Sequence, residues 1–384
     1  MRVKPCQQGD EFRYRDGPSA QGSWGILGGL GATPVELQLS VLNMLATSKH
    51  HLQSLLTRVL GLIQRYPRVL ALFGFCSGLA SFFLVDRQHR AGQVIAIIML
   101  VSWLWLVLEN LLTDKIARRF GLYLPPALLR YVTQLIHQES LFFTLPFFAV
   151  TTAWSSGQAV FTGLLGVAAL ISITDPLYYK WLSNRRWLFL AYHNLSLFAV
   201  LLTVLPLILH LSTTQSYQLA LATTVALSLP SRLVSLSQQT PWRWAVAVVL
   251  TGVIAFAGWL GRAWVPPATL WLQEMAITSQ FDSRSRAPGD SLSSLTEQQL
   301  RDQGLYAYTA INAPRGLDER IYHQWIYNGK ELDRIPLDIH GGREQGYRAW
   351  SRKQNFPREV VGEWQVKVLT EDGQVIGTLR FEVQ

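Results

Sequence analysis

Two hydrophobic periods divide this chain. Between about residues 67 and 264 the apolar residues come in long blocks, and from about 304 they alternate with polar ones. The blocks 69–85, 94–113, 141–154, 158–174, 187–210, 217–229 and 244–261 approach or exceed the length that spans a bilayer, about 17–25 residues. They predict an α-helical polytopic membrane bundle of seven helices over 67–264, the shorter blocks borrowing neighbours to complete a span. Ahead of it, Leu52, Leu55, Leu56, Val59, Leu60 and Ile63 recur at helical spacing opposite His51, Ser54, Thr57 and Arg58. Within 34–66 this pattern predicts an amphipathic helix lying on the cytoplasmic face. Residues 1–33 are Gly-rich and without a period, so a disordered tail is expected.

The alternation after Gly304 predicts strands at 305–313, 320–327, 331–339, 346–353, 363–369 and 375–383. Asn328-Gly329 is a two-residue hairpin signal, because both positions accept positive φ, and "TEDGQ" turns the chain between the last two strands. Six short strands in so few residues predict a small all-β immunoglobulin-like sandwich over 304–384. The segment 265–303 is expected to be a linker, with "SLTEQQLRDQ" forming a short helix capped by Ser294 or Thr296.

Composition agrees with a chain rich in apolar blocks. Of 384 residues, 49% are hydrophobic and 15% charged, against about 25% charged in an ordinary globular protein. The loops on one side of the predicted spans hold twelve Lys and Arg, those on the other only Arg87, Arg90 and Arg262. That asymmetry places the amino terminus inside and, after seven spans, the carboxyl terminus outside: a bacterial inner-membrane, multi-pass protein with a periplasmic domain. The first apolar run begins far from Met1, so the first membrane helix, not a cleavable leader, is the expected insertion signal. The net charge of +9 is not spread evenly. Residues 268–384 hold 14 Lys and Arg against 16 Asp and Glu, a net of −2, leaving +11 in the rest of the chain. Attraction to anionic membrane lipid explains that better than nucleic acid, for which no basic stripe exists. Two Cys, Cys6 and Cys76, offer no disulfide framework.

The stretch "IYHQWIYNGKELDRIPLDIHGGREQGYRAWSRKQNFP" followed by "GEWQVKVLTEDGQVIGTLRFEV" resembles the bacterial family called domain of unknown function 2914. The resemblance rests on Trp325, Trp350 and Trp364 with Asp333, Arg334 and Gly362. The preceding half resembles the uncharacterised multi-pass domain found ahead of that module in Gram-negative bacteria. The resemblance implies an inner-membrane protein with a periplasmic β-domain, and it brings no activity.

Several familiar chemistries are excluded, since the chain has no G-x-x-x-x-G-K-[ST], no H-E-x-x-H, no G-x-S-x-G and no C-x-x-C pair. Polar residues inside the apolar half are the first candidates: Glu109, Asn110, Gln134, His137, Glu139, Asp175, His193 and Asn194. On the predicted topology all eight fall toward the cytoplasmic side, as a pocket for a proton, a metal or a headgroup, or as snorkelling and helix-joining groups. His137 and Glu139 point about 200° apart on one helix and cannot share an ion. A metal would need His137 and His193 from two helices with Glu109 or Asp175, so neither a metal nor another cofactor is expected. Gly74, Ser77, Gly78 and Ser81 share a helix face that would pack a neighbouring helix or a second copy of the chain.

In the β-domain, Arg343, Tyr347, Arg348, Trp350, Arg352 and Lys353, with Arg358 beyond, place cations among aromatics. That pattern suits an anionic glycan or an envelope protein, or it is a solvated strand face around a core Trp350. The sequence therefore predicts a non-enzymatic binding or sensing protein working through its β-domain. The alternative is an integral membrane enzyme or transporter built on the polar cluster.

Overall fold

The fold was analysed in a computed structural model, which describes residues 89–120, 125–236, 241–343 and 345–384, with scattered positions between 54 and 80. The expected tail, most of the amphipathic helix, and Gly74, Gly78 and Ser81 lie outside the described residues. Among the described residues six helices form the apolar half: α1 (His89–Phe120), α2 (Pro126–Thr151), α3 (Gln158–Ile173), α4 (Arg186–Leu209), α5 (Thr213–Leu236) and α6 (Pro241–Leu260). Their limits follow local chemistry. Pro126 opens α2 at a position whose N–H has no helical partner, and His210 ends α4 in the left-handed conformation at φ 53°. Between α3 and α4 a π-helical turn, Pro176–Leu182, swings the chain by 100°. Trp103, Phe143, Phe148, Leu165, Tyr178 and Val200 lie at the centre of the helical core.

This arrangement overturns the seven-helix membrane bundle. Among the described residues one helix, Arg186–Leu209, is long and apolar enough to cross a membrane, or two if the bent pair Gln158–Ile173 and Pro176–Leu182 counts as one. Hydropathy had merged apolar residues whose helices do not qualify. The block at 158–174 is a 16-residue helix, and that at 141–154 is the second half of a helix whose first half buries Gln134, His137 and Gln138. The apolar part of α1 shrinks to Gln93–Glu109, and that of α6 with the 3-10 turn after it to Val248–Trp264. With the spans goes the topology built on them. The multi-pass inner-membrane location, the inside amino terminus and the periplasmic carboxyl terminus lose their support, and among the described residues the Lys and Arg asymmetry has no set of spans to orient.

The β-rich carboxyl-terminal region is present. β1 (Trp271–Thr278), β2 (Phe281–Asp282), β3 (Ala287–Pro288) and β4 (Ser294–Leu295) precede a short helix, α7 (Glu297–Gln303). Then come β5 (Leu305–Asn312), β6 (Asp318–Tyr327), β7 (Lys330–His340), β8 (Tyr347–Lys353), β9 (Gly362–Thr370) and β10 (Val375–Val383). The last six lie where alternation placed them, and Asn328 and Gly329 turn the β6–β7 hairpin at φ 45° and 80°. Thr296 closes a full capping box with Gln299 at the start of α7. The order β1-β5-β8 on one sheet and β4-β10-β9-β6-β7 on the other sends successive strands back and forth between two layers. Trp325 and Trp364, both fully buried, fill the space between them with Ile277, Leu305, Val366 and Phe381.

The segment expected as a linker is folded into the domain. β1 pairs antiparallel with β5, and the β2–β3 hairpin lays Phe281 on the outer face of that sheet against Trp350 at 4.6 Å and Tyr306 at 5.5 Å. The helical half and the sandwich then meet through polar contacts. Thr213, at the first turn of α5, donates from its backbone N–H (2.7 Å) and its hydroxyl (2.8 Å) to Glu319 Oε2. Gln158 Nε2 donates to Val375 O at 3.0 Å, Gln374 Nε2 to Val265 O at 2.8 Å, and Arg262 pairs with Asp372.

Glu319 is only 4% exposed. Burial, opposed by the Thr213 hydrogen bonds and reinforced by Glu371 and Asp372, pushes its carboxyl up to about 7. A carboxyl that holds its proton more tightly when folded favours the fold fully below its unfolded value of 4.5, and that contribution is lost as pH rises to about 7. At about 1.4 kcal/mol per unit, the loss is of the order of 3 kcal/mol. Denaturant titrations at pH 5 and pH 8 check this: the wild type is expected to be less stable at pH 8, and Glu319→Gln to lose most of that difference.

Candidate functional site

The polar residues of the helical half do not form one pocket. Three elements bring His137 (α2), Tyr178 (the π-helical turn) and His193 (α4) together. His137 Nδ1 lies 2.8 Å from the Tyr178 hydroxyl, and its Nε2 lies 3.0 Å from His193 Nδ1. Trp103 of α1 packs on both imidazoles, at 5.6 and 4.9 Å, and donates its indole N–H to Ser140 Oγ. The chain satisfies itself: with Tyr178 donating to Nδ1, His137 donates from Nε2 to His193, and the opposite tautomers reverse both bonds. Gln134 turns elsewhere, donating to Ser172 O at 2.9 Å and Asp175 Oδ1 at 3.0 Å. Glu109 meets the Thr133 hydroxyl and Glu139 meets Ser77. Asn194 faces a separate apolar cavity, and the Asn110 side chain lies outside the described residues. No three His, Cys, Asp or Glu come together as metal ligands among the described residues.

The cations of the β-domain are sorted by strand alternation. Along β8, Ala349, Ser351 and Lys353 are buried, while Arg348, Trp350 and Arg352 take the other face. Lys353 pairs with Asp333 at the domain's edge, Arg352 covers the Tyr306 ring at 5.1 Å, and Trp350 packs under Phe281. Those three are structural contacts. Arg343 and Arg348 differ, because they border an open cleft of about 430 Å³ with Arg286, Gln345 and Gly346.

Local sequence builds that cleft. Gly341 and Gly342 pack so tightly on the 313–317 loop that a Cβ on Gly341 would meet Pro314 O at 1.8 Å. This close approach fixes the root of the loop that carries Arg343, whose guanidinium lies over Tyr347 at 4.9 Å. Arg348 donates to Ser285 O at 2.8 Å and to Gln345 Oε1 at 3.2 Å, tying the β2–β3 turn to β8. In that turn Asp282 accepts from Arg284 N–H and Ser285 Oγ, and Arg286 follows in the left-handed region at φ 50°. None of Arg286, Arg343 and Arg348 has a carboxylate partner among the described residues. Three guanidiniums around one cleft, without a carboxylate partner among the described residues, make a field that attracts anions, with planar forks suited to phosphate or carboxylate oxygens. Sequence reasoning missed Arg286 because "DSRSR" reads as a linker; the signal was its turn chemistry, an Asx residue followed by Ser and Arg.

With this geometry in hand, comparison with known families is informative about kinship and silent on activity. The chain belongs to a family of unknown function, DUF5924, whose model matches residues 49–307. Residues 318–383 match a second family of unknown function, DUF2914, the one whose Trp framework the sequence resembles. Comparison with curated proteins gives no match. Among solved structures, the Pseudomonas fluorescens alkylpurine DNA glycosylase AlkC bound to DNA containing an abasic site analog is similar at 11% identity, over 82% of this chain and 97% of that one. Its TM-score of 0.21 carries no argument about fold or activity.

The mutual satisfaction of the Tyr178–His137–His193 chain makes its own prediction. Tyr178→Phe leaves a ring nitrogen of fully buried His137 without its partner, a loss of about 1–3 kcal/mol. Equilibrium denaturation of the variant is expected to show that loss, and His193→Phe a similar one; wild-type stability in both would disprove the coupling.

Proposed function

We propose that this protein is a non-enzymatic binding protein whose β-domain takes a phosphate- or carboxylate-bearing ligand in the arginine cleft. The observation that supports this reading most directly is the trio Arg286, Arg343 and Arg348, which borders the cleft without an acidic partner among the described residues. A solvated strand face would scatter its cations or pair them, as Arg320 is paired with Asp338 and Lys353 with Asp333. Here one residue comes from a turn, one from a loop and one from a strand. Stacking on a sugar face is not the mode this geometry favours, since Trp350 lies against Phe281 and a face of Tyr347 lies under Arg343. Recognition by paired guanidinium forks is.

The alternative, an enzyme or transporter built on the helical polar cluster, draws on one contact, that between His137 and His193. Of the two third members the sequence reading left open, Glu109 meets Thr133 and Asp175 accepts from Gln134 instead. The two imidazoles and the phenol satisfy one another, and the binding reading is preferred.

Calorimetric titration of the full chain with inorganic pyrophosphate tests the proposal. Binding is expected at low salt and should weaken as salt screens the cleft. Arg286→Ala and Arg343→Ala should each weaken it about tenfold, the equivalent of about 1.4 kcal/mol, with the melting temperature unchanged. No binding by the wild type, or wild-type affinity in the double variant, would overturn the reading.

A further inference from the structure

An apolar cavity of about 290 Å³ opens among α3, α4, α5 and α6, with Phe161, Phe198, Tyr217 and Leu221 in its wall. It is about twice the ~150 Å³ apolar cavity that takes a single benzene. Besides the Tyr217 phenol, three polar side chains interrupt its lining, Asn194, Thr224 and Ser228, and Ser228 is committed to Val225 O at 2.8 Å. The Thr224 hydroxyl is buried without a hydrogen-bond partner. That is unusual for a helical threonine, whose hydroxyl ordinarily returns to the carbonyl one turn back. Thr133, Thr144, Thr151 and Thr203 of this chain all do so, at 2.9 to 3.1 Å. Leaving a buried hydroxyl unpaired is costly, and a group kept so in a cavity wall is explained by a partner that enters the cavity. The Tyr217 phenol there is already committed, since it donates to Gly258 O.

From these observations we infer that the cavity between α3, α4, α5 and α6 binds an apolar, uncharged molecule of about two-ring bulk, whose single hydroxyl or carbonyl oxygen is held by Thr224, with Asn194 as a second polar contact. The apolar wall supplies affinity by burial, and the orphan hydroxyl supplies orientation. Among the described residues no charged side chain lines the cavity, so a carboxylate or phosphate would enter without compensation and is excluded from the class. This site is separate from the arginine cleft in residues and in ligand chemistry.

Equilibrium dialysis of the full chain against 1-naphthol and 1-methylnaphthalene, which match in size and differ in the hydroxyl, tests it. The wild type is expected to prefer 1-naphthol by about tenfold. Thr224→Val, which keeps the shape and removes the hydroxyl, should erase that preference while 1-methylnaphthalene still binds. Val225→Phe fills the cavity and should abolish both; Ser228→Leu serves the same purpose if Val225→Phe melts earlier than the wild type. Absence of binding to the wild type overturns the assignment. So does a preference retained in Thr224→Val, or either probe still binding a filled variant that melts as the wild type does.

Discussion

Glu319 sits where the two halves of the chain meet, and its two hydrogen bonds from Thr213 are the joint on which the rest of the arrangement depends. The first turn of a helix has N–H groups with no partner in the helix, and α5 begins against the sandwich where water cannot serve them all. A carboxyl from the inner face of β6 supplies the missing acceptor, at the cost of its own desolvation. Neighbouring contacts repeat the device: side-chain amides of Gln158 and Gln374 reach carbonyls across the same junction. The sandwich is therefore docked by specific polar contacts, and strand β1 begins only a few residues beyond the last helical turn.

The same rule, that enclosed polar groups must find partners, separates structural residues from candidates for function. His137 spends both ring nitrogens on Tyr178 and His193. In the sandwich His323, held well into the neutral form at about 4 by burial, joins Thr309 and Ser351 of the opposite sheet. Both are satisfied and need nothing from outside. Two places that border cavities break the pattern: Arg286, Arg343 and Arg348, which have no carboxylate partner among the described residues, and the Thr224 hydroxyl, which has no hydrogen-bond partner. Each contrasts with equivalent groups in the same chain, the paired Arg320 in one case and the back-bonded Thr133, Thr144, Thr151 and Thr203 in the other.

How much of this was legible in the sequence differs between the two halves for a physical reason. Strand alternation records which side of a pleat is buried, so six strands and two turns could be read directly, and the helix cap was narrowed to Ser294 or Thr296, of which Thr296 serves. The same parity carried further would have found Glu319 and His323, which share the inward register with Ile321 and Trp325. A run of apolar residues records that side chains are shielded from water without recording by what or over what length of helix. Seven blocks therefore looked like seven spans, although α3 stops at Ile173 and α2 begins with polar residues that its neighbours satisfy. Strand β1 was hidden because its partner β5 lies beyond a hairpin and a helix, and pairing at that separation leaves no local mark.

Site assembly shows the limit more sharply. The sequence grouped six residues of 343–353 because they are close in the chain, and the pleat then divided them, sending Lys353 to an ion pair and Trp350 under Phe281. What replaced them came from Arg286, nearly sixty residues away and brought in by a turn whose geometry depends on Asp282 and on the Arg348 bond to Ser285. Arg348 thus serves the cleft twice, as a cation and as the tie that holds a second cation in place. A charge that also builds the site is a poor residue to delete in testing it, because its loss confounds field with shape. Arg286 and Arg343 bear charge without that structural duty, so substituting them tests the electrostatics of the cleft apart from its shape.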